Sequence, residues 1–132
     1  MLVVDASVLA PTVADSGADG TRFRDRLRGE ALGAPDLARI EVGSMLRRQA
    51  HRGLLTVEQA EGALDDLLAL PLAVFPTAPL LRRAWALPSD LTLYDGCYVA
   101  LAEAVGGPLL TADRRLAAAP GLRCAVELAT SS

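Results

Sequence analysis

Short apolar runs alternate with amphipathic stretches along this chain, and that alternation limits the fold more than any other feature. "MLVVD" is a buried-strand candidate ending at Asp5. "ALGAP" (31–35), "PLAVFP" (71–76), "PLLTAD" and "LRCAVEL" are four more. Helical patterns lie between them. "ASVLAPTVAD" predicts a helical turn or a short helix broken near Pro11. Residues 16–28 read as a helix with Ser16 as N-cap and Asp19 third in the helix. Pro35 and Asp36 open a helix running to about Arg52, where Gly53 stops it. Thr56 and Gln59 have capping-box spacing, and Val57, Ala60, Leu64, Leu67 and Leu68 follow at helical period. Residues 78–87 make a helix closed by Pro88, and residues 92–105 another ended by Gly106 and Gly107. A short helix is expected over 113–118. Strands this short and apolar, joined through helices, predict a mostly parallel sheet of about five strands with helices on both faces, a three-layer α/β/α arrangement.

A length of 132 residues predicts one domain, 1–132, with room for a real core. Hydrophobic residues make up 52% of the chain, which argues against disorder. The net charge of -3 supplies no global basic field for nucleic acid. All 13 basic residues are Arg. Arg suits bidentate pairing with carboxylate or phosphate, although a GC-rich coding bias would leave the same mark. Cys97 and Cys124 are too few for a disulfide scaffold and are expected as free thiols in a reducing cytosol. No signal-peptide pattern opens the chain. Its longest apolar run, 67–75, is broken by Pro71 and is too short to cross a bilayer. These features predict a cytoplasmic protein without a membrane partner.

Ligands of such sheets sit beyond the carboxyl ends of the strands. Asp5 and Asp113 both fall there, one ending the first strand and the other two residues past "LLT". On the helical wheel Glu41 lies between Leu37 and Met45, an acid inside the apolar sector. Asp95 shares a face with Tyr98, Val99 and Ala102. Each acid has a plain structural explanation when taken alone. Asp95 follows Thr92 at capping-box spacing, Asp113 can be an N-cap, and Glu41 can pair with Arg48 or Arg114. Asp5 is hardest to explain this way, because no helix clearly starts beside it. Carboxylates pointing at a core are costly unless paired or metal-bound. Four at one sheet edge would raise each other's pKa values, a conflict that a divalent cation removes. All-oxygen ligation favours Mg²⁺ or Mn²⁺ over zinc, and one His with two Cys excludes a rich zinc site.

"VVDASVL", "PDLARIEVGSML" and "LTLYDGCYVALAEAVGGPLLTADRRL" together resemble the PIN-domain nucleases, most closely VapC-type toxins of VapBC toxin–antitoxin pairs. The resemblance runs from residue 1 to about 128; no single piece is specific, but the ordered set is. It implies that Asp5, Glu41, Asp95 and Asp113 are catalytic and hold the metal, Asp5 and Asp95 most firmly. It places Ser7 and Thr111 where hydroxyls support the metal or its water. Gly96 stands where relatives more often have Ala, and Gly43 where many have a larger residue. The implied reaction is attack of a metal-activated water on an RNA phosphodiester, with no His or Lys base. The implied partners are RNA, a VapB-type antitoxin whose tail places an Arg or similar group among the acids, and a second copy of the chain, within a toxin–antitoxin assembly that can be larger. Helices 36–52 and 56–70 offer apolar surface for the homodimer.

Basic groups must offset an acidic site if RNA is to approach. Arg114 and Arg115 directly follow Asp113 and are candidates for holding phosphates; pairing with Asp90, Asp95 or another acid is the competing reading. Arg22, Arg24, Arg26 and Arg28 are expected as a solvated helix face, as are Arg47, Arg48 and Arg52, with contact to RNA or antitoxin as the sharper alternative. His51 is expected to be structural, near a helix C-terminus. Aromatic residues are only 4% of the chain, so Trp85 and Tyr98 are expected to pack rather than stack on bases. A phosphoacceptor receiver domain would need a strand-end Lys, which the chain lacks. A catalytically silent PIN-like interaction module is the remaining alternative to the nuclease.

Overall fold

The computed structural model describes residues 1–88 and 90–130. Its elements run β1 Leu2–Val4, α1 Ala6–Ala14, α2 Ala18–Leu27, β2 Leu32–Pro35, α3 Ala38–His51, α4 Val57–Ala69, β3 Leu72–Phe75, α5 Leu81–Ala86, α6 Leu93–Val105, β4 Leu109–Thr111, α7 Arg114–Ala117 and β5 Val126–Leu128. A 3-10 turn, Ala78–Leu80, leads into α5. The five strands form one sheet in the order β3-β2-β1-β4-β5. Every pairing is parallel. Val3, Val4, Leu109 and Leu110 are fully buried at its centre, as expected for strands covered on both faces.

The order reverses beside β1: the chain steps outward through β2 and β3, then returns to lay β4 on the other side. Open parallel sheets bind ligands at the carboxyl end of such a switch point. Val4 pairs with Leu110, and the Asp5 N–H donates to the Leu110 carbonyl, so Asp5 leaves the sheet alongside Thr111. α6 packs on β1, β2 and β4. α1, α3 and α4 pack on one another.

Local chemistry explains most boundaries. Thr56 caps α4 and Thr92 caps α6, each in a reciprocal box, with Gln59 and Asp95. Gly106 ends α6 at φ 68°, a left-handed turn that a glycine adopts without strain. Three expectations fail. First, α1 runs through Pro11 to Ala14. Pro11 removes one hydrogen bond inside the helix, while burial of Val8, Leu9 and Ala10 holds the segment helical. Second, α2 begins at Ala18 after Gly17, not after Ser16, because the Asp15 side chain accepts the Gly17 N–H and forms the turn first. Third, α3 begins at Ala38: Asp36 is still bonded to the sheet, its N–H donating to the Phe75 carbonyl.

Among the described residues no helix is long and apolar enough to cross a membrane.

Candidate metal centre

Asp5 is 5% exposed. Contrary to the sequence expectation, a helix does start beside it: Asp5 is the N-cap of α1 and its Oδ1 accepts the Ser7 N–H at 3.1 Å. The cap uses only part of the carboxylate. The Ser7 hydroxyl donates to Oδ1 at 2.6 Å, and the Thr111 hydroxyl donates to Oδ2 at 2.6 Å. Each hydroxyl also accepts a backbone N–H from the loop after β4: Ala112 to Ser7 Oγ at 2.9 Å, Asp113 to Thr111 Oγ1 at 3.1 Å. Two short relays therefore tie Asp5 to the segment that carries Asp113. The resemblance assigned the Ser7 and Thr111 hydroxyls to a metal or its water; in the structure both donate to the Asp5 carboxylate. The backbone half of each relay has no signature in the sequence.

All of Asp5's donors are neutral. Burial pushes its pKa up to about 6; the two hydroxyls work against that rise and the Asp95 charge adds to it. Glu41 is shifted upward too, chiefly by desolvation and further by Asp95, with the Tyr98 hydrogen bond opposing. The Tyr98 hydroxyl donates to Glu41 Oε1 at 2.8 Å, joining α6 to α3. Neither Arg48 nor Arg114 is the partner of Glu41. Tyr98 is 2% exposed, so the expected packing role holds, but its buried hydroxyl also needed an acceptor and the half-buried Glu41 supplies it. Burial, with Glu41 beside it, drives the Tyr98 phenol far upward, so it remains a donor.

Asp95 and Asp113 are both caps. Asp95 closes the box with Thr92: its N–H donates to Thr92 Oγ1 at 3.0 Å and its Oδ2 accepts the Thr92 N–H at 3.3 Å. Asp113 is the N-cap of α7, accepting the Arg115 and Leu116 N–H groups at 2.9 and 3.4 Å. Arg115 then bridges them. Its Nη2 lies 3.1 Å from Asp95 Oδ2 and 3.5 Å from Asp113 Oδ2, and its Nη1 donates to the Asp90 carbonyl at 2.8 Å. Arg114, its neighbour, is exposed.

Asp5, Glu41 and Asp95 thus share one electrostatic neighbourhood, and the relays and Arg115 attach Asp113 to it. Among the described residues no three His, Cys, Asp or Glu side chains are gathered closely enough to hold an ion as they stand. The donors nevertheless suit a hard divalent ion in kind: carboxylates and hydroxyls, with one carboxylate buried beside no cation. Like-charged groups raise each other's pKa values and part unless a cation draws them together.

The other candidate residues divide differently from the sequence reading. Arg26 forks onto Glu127 at 2.6 and 2.9 Å, tying α2 to β5. Arg24 donates to the Thr12 and Asp15 carbonyls, and Arg22 to Asp19 and the Thr130 carbonyl. These three tie α2 to neighbouring segments while Arg24, like Arg28, which pairs with Asp25, stays exposed as expected of a solvated face. Arg47, Arg48, His51 and Arg52 are exposed. Trp85 is 81% exposed, so it does not pack as expected; α5 buries Ala84 instead. Gly96 meets Ala84: a Cβ on Gly96 would lie 2.9 Å from the Ala84 Cβ and 3.1 Å from the Ala84 carbonyl oxygen. Its small size therefore sets the α5–α6 approach, a role that the sequence did not reveal. A Cβ on Gly43 would meet nothing within 4 Å; the residue lines an open groove of about 600 Å³ between α3 and α4. Cys97 is buried and Cys124 partly so, both as free thiols.

A PIN domain family model matches residues 2–122. Ribonuclease VapC1 of Mycobacterium tuberculosis is 43% identical over 127 residues, covering 96% of each chain. Ribonuclease VapC12 of the same species is 38% identical over 128 residues, covering 97% of this chain and 98% of the relative. Among solved structures, M. tuberculosis VapC20, a Sarcin-Ricin loop cleaving toxin, superposes with TM-score 0.71 at 16% identity, over 95% of this chain and 99% of that one. A toxin–antitoxin complex from Klebsiella pneumoniae gives TM-score 0.70 at 17% identity, over the whole of both chains. At those identities the structures speak for the fold, and the sequence relatives for the family. With the parallel sheet, the acids at its switch point and the relatives all in agreement, the chain belongs to the PIN-domain family, in its VapC ribonuclease branch.

Proposed function

We propose that this protein is a metal-dependent endoribonuclease, the toxin of a toxin–antitoxin pair, in which Asp5, Glu41, Asp95 and Asp113 hold one or two Mg²⁺ or Mn²⁺ ions. One observation carries the reading. A nearly inaccessible carboxylate at the switch point is held by neutral donors only, with the Asp95 charge in its field. A core residue with that cost and no structural cation is what a cation-binding site requires. The ribonuclease names of the relatives support the reaction class. A bound ion supplies an acidified water and a polarised phosphoryl oxygen.

The chain's own residues prepare the site. Ser7 and Thr111 fix both oxygens of Asp5. Tyr98 fixes Glu41. Arg114 and Arg115 stand at the edge where the RNA backbone would approach, and Arg is suited to phosphate. The partner inferred from the branch is a VapB-type antitoxin that lays a segment over the acids. A homodimer is assigned to α3 and α4, where Ile40, Val57 and Leu68 are each more than 60% exposed. The protein acts in the cytoplasm as one PIN domain.

Purified protein incubated with total RNA tests the reading. Cleavage is expected with Mg²⁺ or Mn²⁺, none with chelator, and a loss of at least a hundredfold in Asp95→Asn. Binding of antitoxin without any metal-dependent cleavage, by wild type and Asp95→Asn alike, would instead support a silent interaction module.

A further inference from the structure

We propose that Arg115 is a built-in counter-ion, occupying Asp95 and Asp113 until a divalent ion displaces it. The inference rests on the metal-site reading above and concerns the regulation of that same site. The two acids come from different elements, α6 and the loop after β4, yet a single nitrogen of Arg115 reaches both, at 3.1 and 3.5 Å. That is how a bound cation would be shared. Asp5 and Glu41 are satisfied by hydroxyls; Asp95 and Asp113 are where positive charge is present.

Arg115 is also placed to leave. Its side chain is 51% exposed, whereas those of Asp95 and Asp113 are 21% and 34% exposed. The carboxylates keep their capping bonds to Thr92, Arg115 N–H and Leu116 N–H whether or not the guanidinium stays. Its other anchor, the Asp90 carbonyl, lies outside the acid set and is exposed to solvent, so the whole guanidinium can leave without breaking a buried bond. A guanidinium cannot lose its proton, so displacement is the one way to vacate the place. A divalent ion and the guanidinium on the same two carboxylates would repel at close range.

Mn²⁺ titrated into metal-stripped protein without RNA, with free Mn²⁺ followed by electron paramagnetic resonance, tests this. Arg115→Gln and Arg115→Met are expected to bind Mn²⁺ three- to tenfold more tightly than wild type. Arg114→Gln removes an equal charge one residue away and is expected to change affinity less than twofold. Equal or weaker binding in both Arg115 variants would overturn the counter-ion role while leaving the metal site standing. Equal gains in the Arg114 and Arg115 variants would also overturn it, by reducing the effect to general charge. No Mn²⁺ binding by any form at millimolar concentration would overturn the metal-site reading itself.

Discussion

Asp5 carries two burdens at once. It caps α1, and it holds an ionised carboxylate in a place with 5% exposure. Its pKa of about 6 against the ordinary 3.8 means that the folded state favours the proton. The associated stability is fully present below about pH 4 and is lost as the pH rises through 6, a difference of about 3 kcal/mol at neutral pH. Asn keeps a capping oxygen and removes the charge. Asp5→Asn should therefore be more stable than wild type in chelator at pH 8, by roughly 1–3 kcal/mol, and melt at a higher temperature. The advantage should shrink at pH 4.5, and Mn²⁺ should raise the wild-type melting temperature but not that of the variant. A melting temperature unchanged or lowered at pH 8 would show that Asp5 is an ordinary cap. Glu103 has the opposite sign. Arg83 pairs with it at 2.7 and 3.1 Å and the Arg123 N–H adds a third bond, so its pKa is held below the usual range. That stability is present at neutral pH and is lost on acidification. Glu103→Gln should cost about 1–3 kcal/mol at pH 7 and little at pH 3, measured by denaturant melts at both.

Elements show where the sequence was legible. Strand positions, the two capping boxes and the glycine stop of α6 each rest on a few adjacent residues, so local chemistry reveals them. Pro11 misled because its cost is local while the burial of α1 that offsets it is tertiary. Arg26 looked like a solvated residue because Glu127 lies 101 residues away. The four acids were visible as residues at strand ends and on apolar helix faces. Ser7 and Thr111 were named by the resemblance, but their bonds to Asp5 and the loop, and the Tyr98–Glu41 bond, join segments too distant for the sequence to reveal. Gly96 is the clearest case. In sequence it is only a weak helix former; in the fold it admits Ala84. Gly96→Ala should lower stability by about 1–2 kcal/mol despite better helix propensity, because overpacking outweighs it. Ala84→Gly in the same chain should recover part of the loss, giving a favourable coupling in a double-mutant cycle. Additive effects would mean that the two residues do not press on each other.

The whole molecule places chemistry by topology. One reversal of strand order puts the ends of β1 and β4 side by side. The returning α6 brings Asp95 to that edge, and α3 brings Glu41. A small chain without a lysine thereby brings acids from four segments toward one sheet edge, while most of the α2 arginines bond to neighbouring segments. Its exposed apolar residues, Ile40, Leu54, Val57 and Leu68 on and between α3 and α4 with Trp85 on α5, exceed 60% exposure and suit protein partners. At micromolar concentration light scattering should report a dimer, and Ile40→Asp should return it to a monomer; a wild-type monomer would remove the dimer from the proposal. The central claim, metal-dependent cleavage of RNA by the acid set, is tested most directly by expressing wild type and Asp5→Asn in the same host and sequencing RNA 5′ ends. Wild type should arrest growth and leave discrete cut sites that the purified protein reproduces only with Mg²⁺ or Mn²⁺, while Asp5→Asn does neither. Equal growth arrest by both forms, with no metal-dependent cut sites from either, would contradict it.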